Sequence, residues 1–330
     1  MKALVYTGPE SLDVRDVPEP KPAAGDVLIA IESAGICGSD MHAYLGHDER
    51  RPAPLILGHE VSGIASLPGA GESRVTVNPL VTCGVCPACT SGYDNLCPNR
   101  QIISMPPREG GFTEQLAIPA GNVVPVPDHV SPDQAALTEP IACGWHAARI
   151  ARQHPAGTDG ARAVVIGGGA IGLGAALSLR AQGIGDIQIV EPNALRREFL
   201  VRHCGEDVLH PDDLSSDTPI DIVIDGVGIA PTRAQASAVV RPGGIVVHIG
   251  LGSAEGGLDI RRMTLQEITF VGTYTYTAQD FRDTAQAMFD GRLGDLNWTE
   301  ARPLAAGAAA FEDIRSGRTA APKIVLKPGA

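Results

Sequence analysis

The stretch ARAVVIGGGAIGLGAALSLRAQG, residues 161–183, joins a short apolar run to an alanine- and leucine-rich segment through a glycine-rich turn. The run at 163–166 predicts a buried strand, and the spacing of the later segment predicts a helix that ends near residue 182. A strand, a turn reading G-x-G-x-x-G and a helix, in this order, are typical of a dinucleotide-binding unit.

The residues of this turn are candidates for cofactor binding. Gly167 makes the tight turn, Gly169 lets the backbone approach a pyrophosphate, and Gly172 lets the helix pack closely on the strand. Ala170 and Ile171 open the helix, whose N-terminal N–H groups suit a phosphate. An ordinary glycine turn is the structural alternative, which the surrounding pattern makes the weaker interpretation.

An acidic residue closes the next predicted strand. Glu191 follows Gly172 by 19 residues, at a point where a carboxylate accepts hydrogen bonds from ribose hydroxyls and repels a 2′-phosphate. The sequence therefore predicts NAD rather than NADP. Arg196 and Arg197 follow on the next helix and could reach a phosphate, although charges on such a helix more often form a solvated face.

Strands and helices continue to alternate up to about residue 290. The predicted strands are 187–190, 222–224, 245–249 and 268–271, and the predicted helices are 194–203, 232–240 and 278–290. Apolar strands separated by helices predict an α/β fold with a doubly wound parallel sheet. The chain before residue 141 has short β-rich runs broken by proline and glycine, and a last strand at 323–327 could rejoin that half.

Length and composition restrict the class of protein. The 330 residues suggest two domains, and the net charge of −12 disfavours nucleic acid and anionic membranes as partners. No apolar run approaches the roughly 18 residues of a membrane helix, and the start shows no signal peptide. We expect a cytoplasmic protein that acts on a small molecule.

Four of the seven cysteines crowd into residues 83–97. The spacing C-x2-C-x2-C-x7-C of Cys83, Cys86, Cys89 and Cys97 predicts a closed tetrahedral zinc site, which is structural because it leaves no position for water. An iron–sulfur cluster or redox-active cysteine pairs are the alternatives.

A second metal site is indicated by Cys37 in GICGSD and His59 in GHE. A thiolate, an imidazole and an acid form an open zinc site whose last position can take water or substrate. Either residue alone would more simply be a buried structural side chain. The pair gains weight from the cysteine cluster and the dinucleotide pattern in the same chain.

Five motifs together resemble the zinc-dependent medium-chain alcohol dehydrogenases, and most closely their polyol (sorbitol) and threonine dehydrogenase branch. The motifs are GICGSDMH (35–42), GHEVSG (58–63), CGVCPACTSGYDNLC (83–97), TEPIACGWHA (138–147) and the glycine-rich turn. The resemblance implies a GroES-like β-rich catalytic domain at 1–145, completed by 285–330, and a Rossmann NAD-binding domain at 146–284.

The resemblance also implies the site residues. Catalytic zinc is expected on Cys37 and His59, with Glu60 as the adjacent acid ligand, and Glu139 binds it directly or through a water. Ser39 is expected to pass the substrate proton and His42 to relay it to solvent. Asp40 is expected to orient the zinc histidine.

The chain departs from the family pattern at two positions. Ser73 stands where a G-D-R-V strand usually carries Asp, and the short segment around it suggests a trimmed hairpin. Thr275 stands where polyol dehydrogenases commonly carry Arg, which argues against sorbitol itself as the substrate.

These residues predict an NAD-dependent enzyme that oxidises a secondary alcohol, of polyol or sugar type, to a ketone. It would use one catalytic and one structural Zn²⁺ and form a homo-oligomer, either a dimer or a tetramer. A threonine- or aldehyde-type dehydrogenase on the same machinery is one alternative. A cofactor-binding relative without turnover is another, against which the retained zinc ligands argue.

Overall fold

The computed structural model describes residues 1–67, 69, 71–215 and 217–329, and the chain divides into two units. The first unit comprises Met1–Glu139, Phe281–Phe289 and Trp298–Ala330, and the second comprises Pro140–Asp280 and Asp290–Asn297. The predicted boundaries lie at 145/146 and 284/285, whereas the division falls at 139/140 and 280/281. The return of 290–297 to the second unit has no counterpart in the sequence prediction.

Eighteen strands and ten α-helices occur in the described residues. The strands are β1 Lys2–Gly8, β2 Ser11–Asp16, β3 Asp26–Gly35, β4 Leu55–Ile56, β5 Glu60–Leu67, β6 Gly71–Val77, β7 Leu80–Val81, β8 Gln101–Ile102, β9 Gln115–Pro119, β10 Val123–Pro125, β11 Arg162–Ile166, β12 Asp186–Val190, β13 Val208–Leu209, β14 Ile220–Asp225, β15 Val240–His248, β16 Thr269–Gly272, β17 Thr299–Pro303 and β18 Lys323–Lys327. The helices are α1 Gly38–Tyr44, α2 Pro87–Thr90, α3 Pro132–Ala136, α4 Thr138–Gln153, α5 Ala170–Ala181, α6 Ala194–Cys204, α7 Ala230–Val239, α8 Ile260–Leu265, α9 Ala278–Phe289 and α10 Gly307–Arg315.

The sheet of the second unit is parallel, with strand order β13-β12-β11-β14-β15-β16. The order reverses at β11, so the predicted doubly wound sheet is confirmed. Val164, Val223 and Val246 are fully buried at its centre, because helices cover both faces of such a sheet and select continuous apolar strands. The glycine turn follows β11, and carboxyl ends of strands at this reversal are where ligands bind in open α/β sheets.

The first unit is built on a seven-stranded sheet in the order β10-β6-β5-β3-β18-β17, in which β9 also pairs with β3. Its core includes Ile29, Val61, Phe112 and Phe311. The last strand, β18, pairs antiparallel with β3 and parallel with β17. The prediction that 323–327 rejoins the first half of the chain is therefore confirmed, and this pairing brings strand β18 beside β3.

The expected short hairpin around Ser73 is present as β5 and β6, with Ala65 opposite Ser73 and Leu67 opposite Gly71. Residues 68 and 70 of its turn lie outside the described residues. No helix in the described ranges has both the length and the apolar character needed to cross a membrane.

Candidate active site

The four cysteines of the 83–97 segment converge on one point. All four Sγ atoms lie within 4.8 Å of one another. The separations are 3.5 Å for Cys97 to Cys83, 3.5 Å for Cys86 to Cys89 and 3.9 Å for Cys83 to Cys89. A tetrahedron with Zn–S bonds of about 2.3 Å has edges of about 3.8 Å. The donor set therefore fits a zinc ion held by four thiolates.

The local backbone makes this convergence possible. Gly84 and Gly92 have φ of +72° and +82°, a region that a side chain disfavours, and the short helix α2 lies between them. N–H groups of Val85 and Cys86 lower the pKa of Cys83 to about 6. Burial and the Cys86 thiol raise the pKa of Cys89 to about 11. Binding of a cation would draw the remaining protons off, since the metal ligand is the thiolate.

A second group of metal donors consists of Cys37, His59 and Glu60, whose ligand atoms also lie within 4.8 Å of one another. Cys37 is the N-cap of α1, and Glu60 is the first residue of β5, directly after His59. His59 is 5% exposed and Glu60 is fully buried. Two segments 22 residues apart thus deliver a thiolate, an imidazole and a carboxylate to one buried place.

Asp40 ties these two segments together. Its Oδ2 accepts the Cys37 N–H at 3.0 Å, and its Oδ1 accepts the Gly58 N–H at 3.2 Å and lies 3.4 Å from His59 Nδ1. Burial raises the pKa of Asp40, but His59 and Arg51 outweigh it and hold that pKa below its ordinary value. Burial lowers the pKa of His59, but Asp40 and Cys37 outweigh it and hold it well above its ordinary value. The anionic surroundings that favour a proton here also favour a metal cation.

Glu60 has one oxygen engaged and one available. Its Oε1 accepts a hydrogen bond from Lys323 Nζ at 2.5 Å, whereas its buried Oε2 has no hydrogen-bond partner in the described structure. Gly35 lies opposite Glu60 in the β3–β5 ladder, and a Cβ at Gly35 would collide with Oε2. An orphaned buried carboxylate oxygen is costly, and it fits a metal ligand.

The remaining predicted residues of the first unit lie at different places. Ser39 Oγ is 3.5 Å from His59 Nε2. His42 lies one turn further along α1 and is partly exposed, as a residue that exchanges protons with solvent must be. Glu139 is 5% exposed, near the start of α4, and its charge raises the pKa of Lys323. Glu139 is not among the described donors grouped within 4.8 Å, so its part in metal binding stays a proposal.

Three side chains around this site were missed by the sequence analysis: Lys323, Arg51 and Ser104. Ser104 Oγ lies 3.4 Å from His59 Nδ1, and Arg51 donates to both Ser104 and Ser39. No spacing or motif connects these residues, which lie far apart in the chain or in an irregular loop. Buried Lys and Arg are unusual enough to attract notice, but burial is visible only in the fold.

In the second unit, the glycine turn has the geometry that the sequence predicts. Gly167 has φ +100°, and a Cβ at Gly172 would collide with the Gly167 carbonyl. Gly169 is the N-cap of α5, and a Cβ there would meet only Arg196 Nη1, at 3.9 Å. Gly167 and Gly172 are therefore needed for the turn itself, whereas the backbone at Gly169 is open to a ligand. Ala170 begins α5.

Glu191 is held beside this turn. Its Oε2 accepts the Gly168 N–H and its Oε1 accepts the Asn193 N–H, both at 2.8 Å. Each carboxylate oxygen retains a lone pair for a further donor such as a ribose hydroxyl. Arg197 Nη1 donates to the Glu191 and Pro192 carbonyls. The arrangement fits the adenosine end of a dinucleotide. The Glu191 carboxylate lies where the 2′-phosphate of NADP would be.

Comparisons with known proteins point to one family. Residues 23–128 match the family model of the alcohol dehydrogenase GroES-like domain, and residues 170–290 match that of the zinc-binding dehydrogenases. The chain is 32% identical to the L-galactonate-5-dehydrogenase of Escherichia coli, covering 96% of both chains. It is 32% identical to the sorbitol dehydrogenase of Bacillus subtilis, over 84% of this chain and 82% of that one.

A solved structure resembles this chain over nearly its full length. This is the cobalt- and zinc-bound thermostable alcohol dehydrogenase of Pyrobaculum aerophilum, with a TM-score of 0.87, 27% identity and 99% of each chain covered. The fold, the two donor groups, the glycine turn and these similarities support one conclusion. The chain belongs to the zinc-dependent medium-chain alcohol dehydrogenases, enzymes that use zinc and a nicotinamide cofactor.

Proposed function

We propose that this chain oxidises a secondary hydroxyl of a polyol or a sugar acid to a ketone, with NAD as the hydride acceptor. The observation that carries the proposal is the convergence of Cys37, His59 and Glu60, with the Ser39 hydroxyl beside the imidazole. A relative that binds a cofactor without turnover would have no use for these donors.

The thiolate, imidazole and carboxylate donors of the first unit suit zinc. Cys37, His59 and Glu60 would hold the catalytic zinc, and Glu139 would complete its ligands directly or through water. Zinc bound there supplies Lewis-acid polarisation of the substrate oxygen. Asp40 keeps the imidazole in one orientation, which a neutral histidine ligand requires, and Lys323 holds Glu60 with one oxygen directed away from the lysine.

The reaction removes a hydride and a proton from the substrate. Glu191 with the turn at Gly167, Gly169 and Gly172 would hold NAD, which would supply the hydride acceptor when bound. The Ser39 hydroxyl would accept the proton from the substrate hydroxyl while donating its own, which would pass by way of the nicotinamide ribose to His42 and on to solvent. Atoms and charge then balance as ketone, NADH and one released proton.

The substrate class is the less specific part of the proposal. The galactonate and sorbitol dehydrogenases among the relatives act on open-chain polyhydroxylated molecules by name. Thr275, at the position where polyol dehydrogenases commonly carry Arg, favours a substrate other than sorbitol. The buried Oγ1 of Thr275 has no hydrogen-bond partner in the described structure. The threonine hydroxyl therefore makes no hydrogen bond within the protein in place of those an arginine could make.

The test is a substrate panel of polyols, sugar acids, threonine and simple alcohols, scored by NADH absorbance with NAD and NADP in parallel. We expect turnover of at least one polyol or sugar acid, with NAD preferred. Cys37→Ser is the control for background reduction. Turnover of threonine or of simple alcohols alone would overturn the substrate class, and no NADH from any substrate would overturn the enzyme assignment.

We also propose a cytoplasmic location and a homo-oligomer. All seven cysteines are free thiols, which suits a reducing compartment. Leu251 and Ile260 of the second unit line one pocket and are 69% and 62% exposed, and neighbouring exposed apolar side chains of this size favour a protein contact. Light scattering of the purified chain distinguishes monomer, dimer and tetramer.

A further inference from the structure

Arg51 is a buried cation beside the candidate catalytic site, and its side chain is 1% exposed. Its Nη1 pairs with Asp48 at 3.0 Å and donates to the Ser39 carbonyl at 2.9 Å. Its Nε donates to the Ser104 carbonyl at 3.0 Å. The charge is thus balanced by one carboxylate, and most of the guanidinium is engaged by two serine residues.

The same guanidinium reaches both serine hydroxyls. Arg51 Nη2 lies 3.4 Å from Ser39 Oγ and 3.4 Å from Ser104 Oγ. These hydroxyls approach opposite nitrogens of one imidazole, with Ser39 Oγ at 3.5 Å from His59 Nε2 and Ser104 Oγ at 3.4 Å from His59 Nδ1. Arg51 therefore contacts both hydroxyls that flank the imidazole, and the Ser104 hydroxyl is the one on the Nδ1 side that Asp40 also approaches.

The contact also decides how Ser39 can use its hydroxyl. A serine hydroxyl has one O–H and two acceptor lone pairs. With the guanidinium donating to one lone pair, the O–H points away from Arg51 and the second lone pair is left for the substrate proton. Only a planar fork can serve a carboxylate, two carbonyls and two hydroxyls at once; an ammonium cannot.

We propose that Arg51 is a positioning residue for the reaction, acting through Ser39 and, by way of Ser104, through His59. The inference rests on the proposed function, because Ser39 matters only if a substrate proton has to leave. Arg51 itself contacts neither substrate nor cofactor in this account. Its role is to keep a hydroxyl and an imidazole in the orientation that the chemistry needs.

A double-mutant cycle on the full-length, zinc-saturated chain tests the link to Ser39. Arg51→Met should lower kcat about 10- to 100-fold, the loss expected when a reacting group is displaced by about 1 Å, and leave the KM for NAD unchanged. In the Ser39→Ala background the same change should lower kcat less than about twofold, because the route through Ser39 is already removed and the zinc-saturated chain hides the weaker zinc binding expected through Ser104 and His59.

Arg50→Met is the matched control. Arg50 donates to the same Asp48 from Nε at 2.8 Å and from Nη2 at 2.9 Å, but its side chain is 59% exposed. Its contact with Asp48 is exposed to solvent, so this variant should retain wild-type kcat. A loss in Arg50→Met equal to that in Arg51→Met would assign the effect to the Asp48 loop and overturn the proposal.

Zinc affinity gives a readout that is independent of turnover. In chelator competition, Arg51→Met should weaken one zinc per chain about tenfold, as the loss of support behind a metal-binding histidine does. Ser104→Ala should do the same, and the two effects should not add. If none of the substrates in the panel supports NAD reduction by the wild type, the proposed function fails. The zinc-affinity measurement still decides whether Arg51 supports His59.

Arg51→Lys keeps the positive charge but lacks the planar guanidinium. If Arg51→Met does not fold, the same experiments are done with Arg51→Lys. The same losses are then expected at smaller size. Wild-type kcat and zinc affinity in the folded variant would overturn the proposal. So would a kcat loss that is undiminished in the Ser39→Ala background, since that would be a general structural defect.

Discussion

Lys323 Nζ lies 2.5 Å from Glu60 Oε1, although 263 positions separate the two residues in the chain. Lys323 also donates to the Ile36 carbonyl at 2.7 Å. Burial lowers the pKa of Lys323, but Glu60 and Cys37 outweigh it and raise that pKa above its ordinary value. The C-terminal strand thus delivers a positive charge to the candidate zinc site.

Lys323→Met should strongly destabilise the protein, because it leaves the buried Glu60 carboxylate without its cation. We expect the free energy of unfolding to fall by about 3 kcal/mol, as when one partner of a buried pair is removed. Urea unfolding at neutral pH measures this. Lys2→Met is the control, since its pair with Asp16 is 54% and 76% exposed and should contribute less than about 1 kcal/mol. Equal losses would contradict the prediction.

Removing a zinc ligand and removing the proton relay should have different effects on zinc content and on activity. Cys37→Ser should lose one zinc per chain and essentially all dehydrogenase activity, with NAD binding intact. His42→Ala should keep both zincs and lose at most about 10²- to 10⁴-fold in kcat, partly recovered at high pH where hydroxide takes the proton. Metal analysis beside pH–rate profiles tests both variants. Full activity in Cys37→Ser with one zinc missing would refute zinc-assisted hydride transfer.

Cys89→Ala should reduce stability rather than catalysis. The four-thiolate group has no open position, so a zinc there can only hold the 83–97 segment together. We expect one zinc fewer per chain and a lower Tm, with the Kd for NAD unchanged. Cys204→Ala is the control, a partly buried cysteine outside both donor groups. An unchanged zinc content and Tm in Cys89→Ala would remove the structural assignment.

Glu191→Gln should reduce the preference for NAD over NADP. The amide retains an acceptor for Gly168 or Asn193 but loses the charge that repels a 2′-phosphate. We expect the kcat/KM ratio of NADP to NAD to rise at least about fivefold, the scale of one charge interaction at a few ångströms in a solvated site. Glu198→Gln, on helix α6 after Glu191 and 53% exposed, should leave the ratio unchanged. A wild-type preference for NADP would make the assignment wrong.

Asp280 forms a buried network within the second unit. It accepts from Arg149 Nε at 2.6 Å and from Thr277 Oγ1 at 2.7 Å, and lies 2.8 Å from His146 Nδ1. Burial raises the pKa of Asp280, but the hydrogen bonds from His146, Arg149 and Thr277 outweigh it and lower that pKa below its ordinary value. The ionised form is therefore stabilised by folding.

Asp280→Asn should reduce stability in a pH-dependent way. Because the unfolded chain takes up this proton near pH 3.9 and the folded chain only at lower pH, the stabilisation is complete above about pH 5 and is lost as pH falls further. We expect a loss of about 3 kcal/mol at pH 7 that shrinks steadily towards pH 3. Asp186→Asn, 50% exposed in its pair with Arg162, is the control. A difference from wild type that does not change with pH would contradict the prediction.

Short spacings in the sequence determined much of this protein. The cysteine spacing at 83–97 predicted four thiols around one point, and the turn from Gly167 to Gly172 predicted the strand, turn and helix at the centre of a doubly wound sheet. Both are local requirements: a metal selects its ligand atoms at short range, and a tight turn permits only glycine at certain backbone angles. Such requirements depend on residues that are close together in the sequence, so the sequence alone is enough to predict them.

Tertiary structure alone decided which charges support the site. The 26 Lys and Arg residues offer many possible partners for Glu60 and Ser39, and nothing local distinguishes Lys323 or Arg51 from the exposed ones. The pairing of β18 with β3 buries Lys323 against Glu60, and the loop after α1 buries Arg51 against Ser39 and Ser104. A buried charge persists only where a partner meets it, and which partner does so depends on how distant segments close over one another, which no short stretch of the chain encodes.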